Sequence, residues 1–369
     1  MNRSVSIALA ATAAAAAITL ACSDSSEPSP GTPPSASVSR PELPSMTLQN
    51  SGTTSDLIAV SPASANVVWA SGRLGTFVVT TDGGRHWRAG VVPGAEALQF
   101  RDVHAVSANV AYLLSIGNGT DSRIYKTTDG GATWKLQFQN HDALAFYDCF
   151  GFWTANRGIA TTDAVNGRFP VVRTKNGGAN WKYITSQLPP AQPGEASFSS
   201  SGTCVTTQGL NRAWIATGGA IHARILRTTD GGRSWKASNT PIIQGTPSSG
   251  VFSVDFRDDM HGILAGGELA APDALSKNVA VSSDGGVTWK LATGTPFTGA
   301  AYGLSYIGVP GWRETAVLAT GPKGAAWSPN EGKKWYSLPG VHDYWGVAFA
   351  NPNAGWLVGT EGRILKIEF

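Results

Sequence analysis

The chain has 369 residues, long enough for two or three ordinary domains or for one all-β repeat array, and only 14% of them are charged. Its 44 glycines and 13 tryptophans suit short strands joined by tight turns and argue against long surface helices. A net charge of +3 supplies no global field that would draw in nucleic acid, so that partner class is set aside.

The first residues, MNRSVSIALAATAAAAAITLAC, carry one early positive charge at Arg3, an apolar run and then small residues up to Cys22. This reads as a secretory leader over residues 1–21. The run Ile18-Thr19-Leu20-Ala21-Cys22 resembles a bacterial lipobox, which implies lipidation at Cys22; ordinary cleavage near Ala21 is the alternative. Acyl chains would tether the protein to a membrane without spanning it. Residues 22–45, rich in Ser and Pro, cannot bury enough apolar surface to order themselves and read as a stalk. The implied location is the cell envelope, on the periplasmic or outer side of a bacterial membrane.

From residue 46 onward one box recurs: TTDGGRHW, TTDGGATW, TKNGGANW, TTDGGRSW, SSDGGVTW and SPNEGKKW. Each has Asx and, five residues later, Trp: Asp82 and Trp87, Asp129 and Trp134, Asn176 and Trp181, Asp230 and Trp235, Asp284 and Trp289, Asn330 and Trp335. Successive tryptophans lie 47, 47, 54, 54 and 46 residues apart, which marks tandem structural units. Asx followed by Gly between strand-like runs is a strong hairpin signal, because glycine enters positive φ cheaply and the Asx side chain bonds nearby amides. The tryptophan then supplies buried surface to a repeat too short for its own core. The boxes are therefore read as structural and not as a shared site.

Around each box four strand-like runs alternate with turns, as in DLIAVSP, NVVWASG, GTFVVTT and HWRAGVV. The last set, YWGVAFA, AGWLVGT and RILKIEF, ends one strand short, while SMTLQN near the beginning has no set before it. The fold class expected is all-β: a single seven-bladed β-propeller over 46–369 whose last blade is closed by the strand at Met46 to Asn50.

These boxes resemble the Asp-box repeat of sialidases, sortilin-like receptors and some glycoside hydrolases, a motif of propellers and not of one activity. With SRIYKTTDGG, GRFPVVRT and RGIATTD, the chain is more similar to the photosystem II stability/assembly factor family of seven-bladed propellers and its bacterial relatives. That resemblance implies an exported, non-catalytic factor that assists assembly of a membrane complex, a protein partner, and no cofactor.

In such a blade the box lies on one face. The loops between second and third strands emerge on the other, and in this sequence each carries a cation: Arg73, Arg123, Arg168, Arg224, Lys277, Lys323 and Arg363. A collar of that kind suits a carboxylate, a phosphate or an acidic segment. The plainer reading, and the preferred one, is solvated charge offset by Asp121, Asp163, Glu268 and Glu361. His141 and His342 each precede an aspartate, but no metal-ligand spacing, nucleophile elbow or phosphate loop is present. A sialidase would need an arginine triad, yet Met46 to Thr81 holds only Arg73. A glycoside hydrolase or a glycan-binding surface protein is kept as the alternative, since hydrolysis needs only two suitably spaced carboxylates.

Cys149 and Cys204 each lie seven residues before an Asn-Arg pair and so hold matching positions in neighbouring units. Two buried thiols are the preferred state and a disulfide the other. The whole reads as a membrane-tethered monomeric binding module that docks a protein partner's acidic or C-terminal segment opposite the boxes.

Overall fold

The structure, a computed structural model, describes residues 43–308 and 313–369. The leader, Cys22 and the stalk up to residue 42 lie outside them. Among the described residues every regular element is a strand, apart from three single-turn 3-10 helices.

The strands form seven four-stranded antiparallel sheets, and six of these follow chain order from an inner to an outer strand. In the first blade these are Leu57–Pro62, Val68–Gly72, Thr76–Thr80 and Arg88–Val91. Every residue of the two middle strands is buried, because a blade is sandwiched between two neighbours; VWASG and TFVVT are accordingly apolar or small throughout instead of alternating. The outer strand RAGV exposes both its ends to solvent.

The seventh sheet breaks chain order. Ser45–Asn50 pairs with Arg363–Glu368, in register from Ser45 opposite Glu368 to Asn50 opposite Arg363, and supplies the outer strand missing from Tyr344–Asn351, Ala354–Gly359 and Arg363–Glu368. The expected closure by the N-terminal strand is thus the one observed, one residue earlier than its expected start. Inner strands abut cyclically: Leu57–Pro62 touches Gln99–Ala105 on one side and Tyr344–Asn351 on the other. The circle continues through Tyr147–Thr154, Val205–Gln208, Ser249–Phe256 and Gly303–Tyr306.

The boxes are hairpin corners with one repeated hydrogen-bond pattern. In the fourth blade Thr228 Oγ1 donates to Asp230 Oδ1 at 2.8 Å and accepts from the Gly232 amide at 3.0 Å, while the Ser234 amide donates to Asp230 Oδ1 at 3.0 Å. The same three contacts recur from Thr80 and Asp82 through Ser328 and Asn330. Buried amides of a tight turn need acceptors, and these side chains provide them without a partner molecule.

Each corner also fastens its blade to the one before. A Cβ on Gly131, whose φ is +86°, would stand 2.7 Å from the Phe77 ring of the preceding blade, so backbone packs directly on an aromatic there. Trp134 packs edge-on against Trp69 and Phe77, with ring centroids 6.0 and 5.0 Å away. Trp69 Nε1, Tyr112 Oη and Trp214 Nε1 each donate to a carbonyl of the following blade, Ser107, Gly177 and Gly285. A corner that is tied to its own first turn, as Gly83 is to the Asn66 carbonyl, and to its neighbour's core cannot join the other five at one shared cavity.

Cys149 and Cys204 are joined in a disulfide, with Cα atoms 6.0 Å apart, which corrects the preference for free thiols. Cys149 lies in the inner strand of the third blade and Cys204 immediately ahead of that of the fourth. Inner strands converge toward the axis, and this brings matched positions within bridging distance.

Candidate functional site on the face opposite the boxes

Inner strands begin on the face opposite the boxes, so the collar loops and the blade-to-blade connections share that face. Among the seven expected cations the structure finds mostly internal partners. Arg224 forms a bidentate pair with Glu195, whose side chain is fully buried. Lys323 meets Asp273 at 2.8 Å, Arg73 meets Asp56 at 3.4 Å, and Arg363 meets both Asp343 at 3.1 Å and Glu361 at 2.8 Å. Arg123 donates instead to the Thr120 carbonyl and to Tyr125 Oη. Arg168 and Lys277 are exposed and in no ion pair among the described residues.

The offsetting charge comes largely from other residues than those expected. Of the four named from sequence only Glu361 pairs with a collar cation. Glu268 accepts from Thr246, Ser248 and the Ala270 amide, and Asp163 accepts from the Ser197 amide. His342 does contact its neighbour Asp343, at 2.7 Å, whereas Asp142 caps its own turn through the Leu144 amide.

A second arrangement lies inside the collar, around the channel mouth. The connection into the fourth blade, residues 198–203 (FSSSGT), crosses the axis. Ser201 Oγ donates to the Tyr302 carbonyl of the sixth blade at 2.7 Å, and Thr203 Oγ1 donates to Ser253 Oγ of the fifth at 2.7 Å. Gly202, at φ +76°, sits so close to the first two blades that a Cβ would lie 2.6 Å from Asp102 and 3.0 Å from Ala59. The channel is therefore plugged by its own chain, and the disulfide at Cys204 anchors the plug's end.

Above the plug sits Arg101, from the inner strand of the second blade. Its guanidinium donates to Gln99 Oε1 at 3.0 Å and to the Ser199 carbonyl at 3.3 Å, and stands 5.0 Å from the Trp345 ring. Arg73 approaches the same ring at 5.9 Å. Burial, followed by the charge of Arg73, lowers the Arg101 pKa to about 10. The Nε of Arg101 is buried and unbonded, and no carboxylate pairs with the side chain among the described residues. Trp345 continues into an aromatic path across the mouth, through Tyr302 at 5.4 Å and Phe252 at 6.0 Å to Phe198 at 4.2 Å.

On the third blade's side of the mouth the carboxyls of Asp148 and Asp163 lie beside one another. Burial first, and then the neighbouring carboxyl, pushes Asp148 well above the carboxylate range; burial pushes Asp163 up to about 6.

Sequence reading missed Arg101, the plug and the carboxyl pair. Arg101 and Asp102 were visible as charges inside an otherwise apolar inner strand, QFRDVHA, and the plug as the stretch of the tryptophan period from 47 to 54 residues at the fourth unit. No helix among the described residues is long and apolar enough to cross a membrane, and none of their side chains form a cluster of three metal-ligating groups.

No protein-family model matches the chain, and no curated protein sequence does. Solved structures match it over most of its length. YCF48 from Cyanidioschyzon merolae is 16% identical with a TM-score of 0.60, over 88% of this chain and 98% of that one. The GH74 xyloglucanase from Xanthomonas campestris is 13% identical with a TM-score of 0.57, and this chain spans about half of it, 53%. The WD40 β-propeller domain of Doa1 is 14% identical with a TM-score of 0.55 over 97% of that chain. At such identities the likeness is one of fold: the chain is a seven-bladed β-propeller, as its Asp-box resemblance implies.

Proposed function

We propose that the protein is an exported, membrane-tethered, non-catalytic propeller that docks an acidic or C-terminal segment of a protein partner on the face opposite its boxes, as a monomer. The observation that carries this reading is Arg101, a largely buried cation whose hydrogen-bond partners among the described residues are neutral oxygens. Asp56, the acid acting on Arg101, is paired with Arg73 at 3.4 Å, so the Arg101 guanidinium holds no ion pair of its own among the described residues, and an incoming carboxylate would supply one in charge-assisted, bidentate form. The docking point thus moves from the collar to the mouth inside it.

The surrounding surface favours a polypeptide. Leu74, Leu144, Ile221 and Leu275 stand 64–70% exposed on four separate loops of this face. Solvent-exposed aliphatic tips ringing a charged centre are the composition of a protein-binding surface, with an apolar contribution around a polar anchor. Tethering and export rest on the leader and Cys22, and the non-catalytic reading on the Asp-box resemblance.

The test is titration with a pool of short acidic peptides ending in a free carboxylate, against the same pool amidated. The free acids should bind and the amides should bind roughly tenfold more weakly, with Arg101→Gln abolishing the difference. Equal binding of both pools, or an unchanged difference in Arg101→Gln, would contradict the reading.

A further inference from the structure

The outer rim on the box side carries a charge pattern that the docking face does not explain. In the second, third and fourth blades the third and outer strands place two cations directly opposite each other: Lys126 with Lys135, Arg173 with Lys182, and Arg227 with Lys236. Like charges in register across a strand pair are destabilising, so three successive instances break a local rule. At the same register the first, fifth and sixth blades have Val79 with Arg88, Val281 with Lys290, and Trp327 with Tyr336. The seventh sets Lys366 against Thr47 and neutralises it with Glu368 at 3.0 Å.

None of the six cations meets a carboxylate within ion-pair distance among the described residues. The acids of the second and fourth boxes, Asp129 and Asp230, are occupied by their own corners, through Thr133 and Ser234. On the third strands Lys126 reaches the Gly177 carbonyl at 2.9 Å, and Arg173 reaches those of Gly231 and Gly232 at 3.1 and 3.2 Å. Those bonds fix the inner member in two of the three pairs, and the outer members Lys135, Lys182 and Lys236 are all exposed. A groove of about 450 Å³ opens at Lys126 and Lys135, and another of about 310 Å³ at Arg173 and Lys182.

We infer that this three-blade sector binds a flexible linear polyanion, an acidic polysaccharide, with each blade's cation pair taking an anionic group. The sites recur at the ring's own period around a convex rim, so a chain that bends can engage all three, whereas a flat bilayer meets a convex edge at one. A duplex nucleic acid, stiff over about 150 base pairs, cannot follow that curvature without deformation. The site is independent of the proposed docking of a peptide, which uses the other face.

The probe is polygalacturonate, with dextran as its neutral counterpart and phosphatidylglycerol vesicles as the bilayer. The intact protein should bind polygalacturonate with strong salt dependence and ignore dextran. Lys135→Gln, Lys182→Gln and Lys236→Gln together should weaken binding at least roughly tenfold and flatten its salt dependence, because these side chains hold no internal contact whose loss would unfold the blade. A control with Lys290→Gln, Lys333→Gln and Lys334→Gln should keep the affinity. Unchanged affinity in the first triple variant, equal loss in the control, or binding to vesicles without binding to polygalacturonate would overturn the inference.

Discussion

Trp87 Nε1 donates to Gln49 Oε1 at 2.9 Å, which joins the first blade's box to the strand that completes the seventh. Gly84 packs on the same glutamine, where a Cβ would lie 2.2 Å from its Oε1. The corner that elsewhere fastens a blade to its predecessor here fastens the end of the ring to its beginning.

Trp87→Ala should therefore lower stability by about 2 kcal/mol, since the ring is half-buried, and Gln49→Ala by about 1 kcal/mol. The two losses should be less than additive, because both report one contact. Denaturant unfolding of the single and double variants measures this. Full additivity would place the two residues in separate interactions.

The box hydroxyls should be worth more than their size suggests. Thr228 is buried and serves the Gly232 amide and Asp230 at once, so Thr228→Val should cost about 1–2 kcal/mol while Thr228→Ser is nearly neutral. Thermal melts of the two variants separate a lost hydrogen bond from a lost methyl group.

Reduction should loosen the plug and the fold together. Cys149 and Cys204 are 55 residues apart, for which loop-closure entropy gives about 4 kcal/mol. The melting temperature should fall on adding a thiol reductant, and Cys149→Ala/Cys204→Ala should show the lower value with no further response. A melting temperature indifferent to reductant would contradict the bridge.

The buried carboxyls set a pH dependence of definite sign. Asp163 and Asp255 are each raised by burial to about 6, above their ordinary value, so their contribution is fully present below about pH 4 and is lost as pH rises through about 6. His104 works the other way: burial lowers it to about 4, and its contribution is lost as pH falls from 6.5 toward that value. Asp163→Asn keeps an acceptor for the Ser197 amide and lets the new amide donate to Asp148. Its melting temperature should rise less than the wild type's, or fall more, between pH 7 and pH 5; identical changes would mean the carboxyl pair is not perturbed.

Much of the architecture was legible because it repeats. Asx, Gly and Trp at fixed spacing determine the corners locally, and a terminal set one strand short leaves a single closing strand to find it. The site was less legible because it is assembled across the ring. Arg101, Trp345, Tyr302 and Phe198 come from different blades, and the path of residues 198–203 over the axis depends on contacts with residues about a hundred positions away. The partners of the collar cations were hidden for a similar reason: a cation in a loop is visible in sequence, but Glu195 under Arg224 and Asp273 beside Lys323 are tertiary partners.

Recognition on the face opposite the boxes is put to the sharpest test by photo-crosslinking from both faces of the intact protein. A photoreactive residue at Leu144 or Ile221 should capture one defined partner band that is lost with Arg101→Gln, while the same residue at Leu210 or Val287, exposed on the box side, captures none. A partner captured from the box side, or capture that survives Arg101→Gln, would contradict the account.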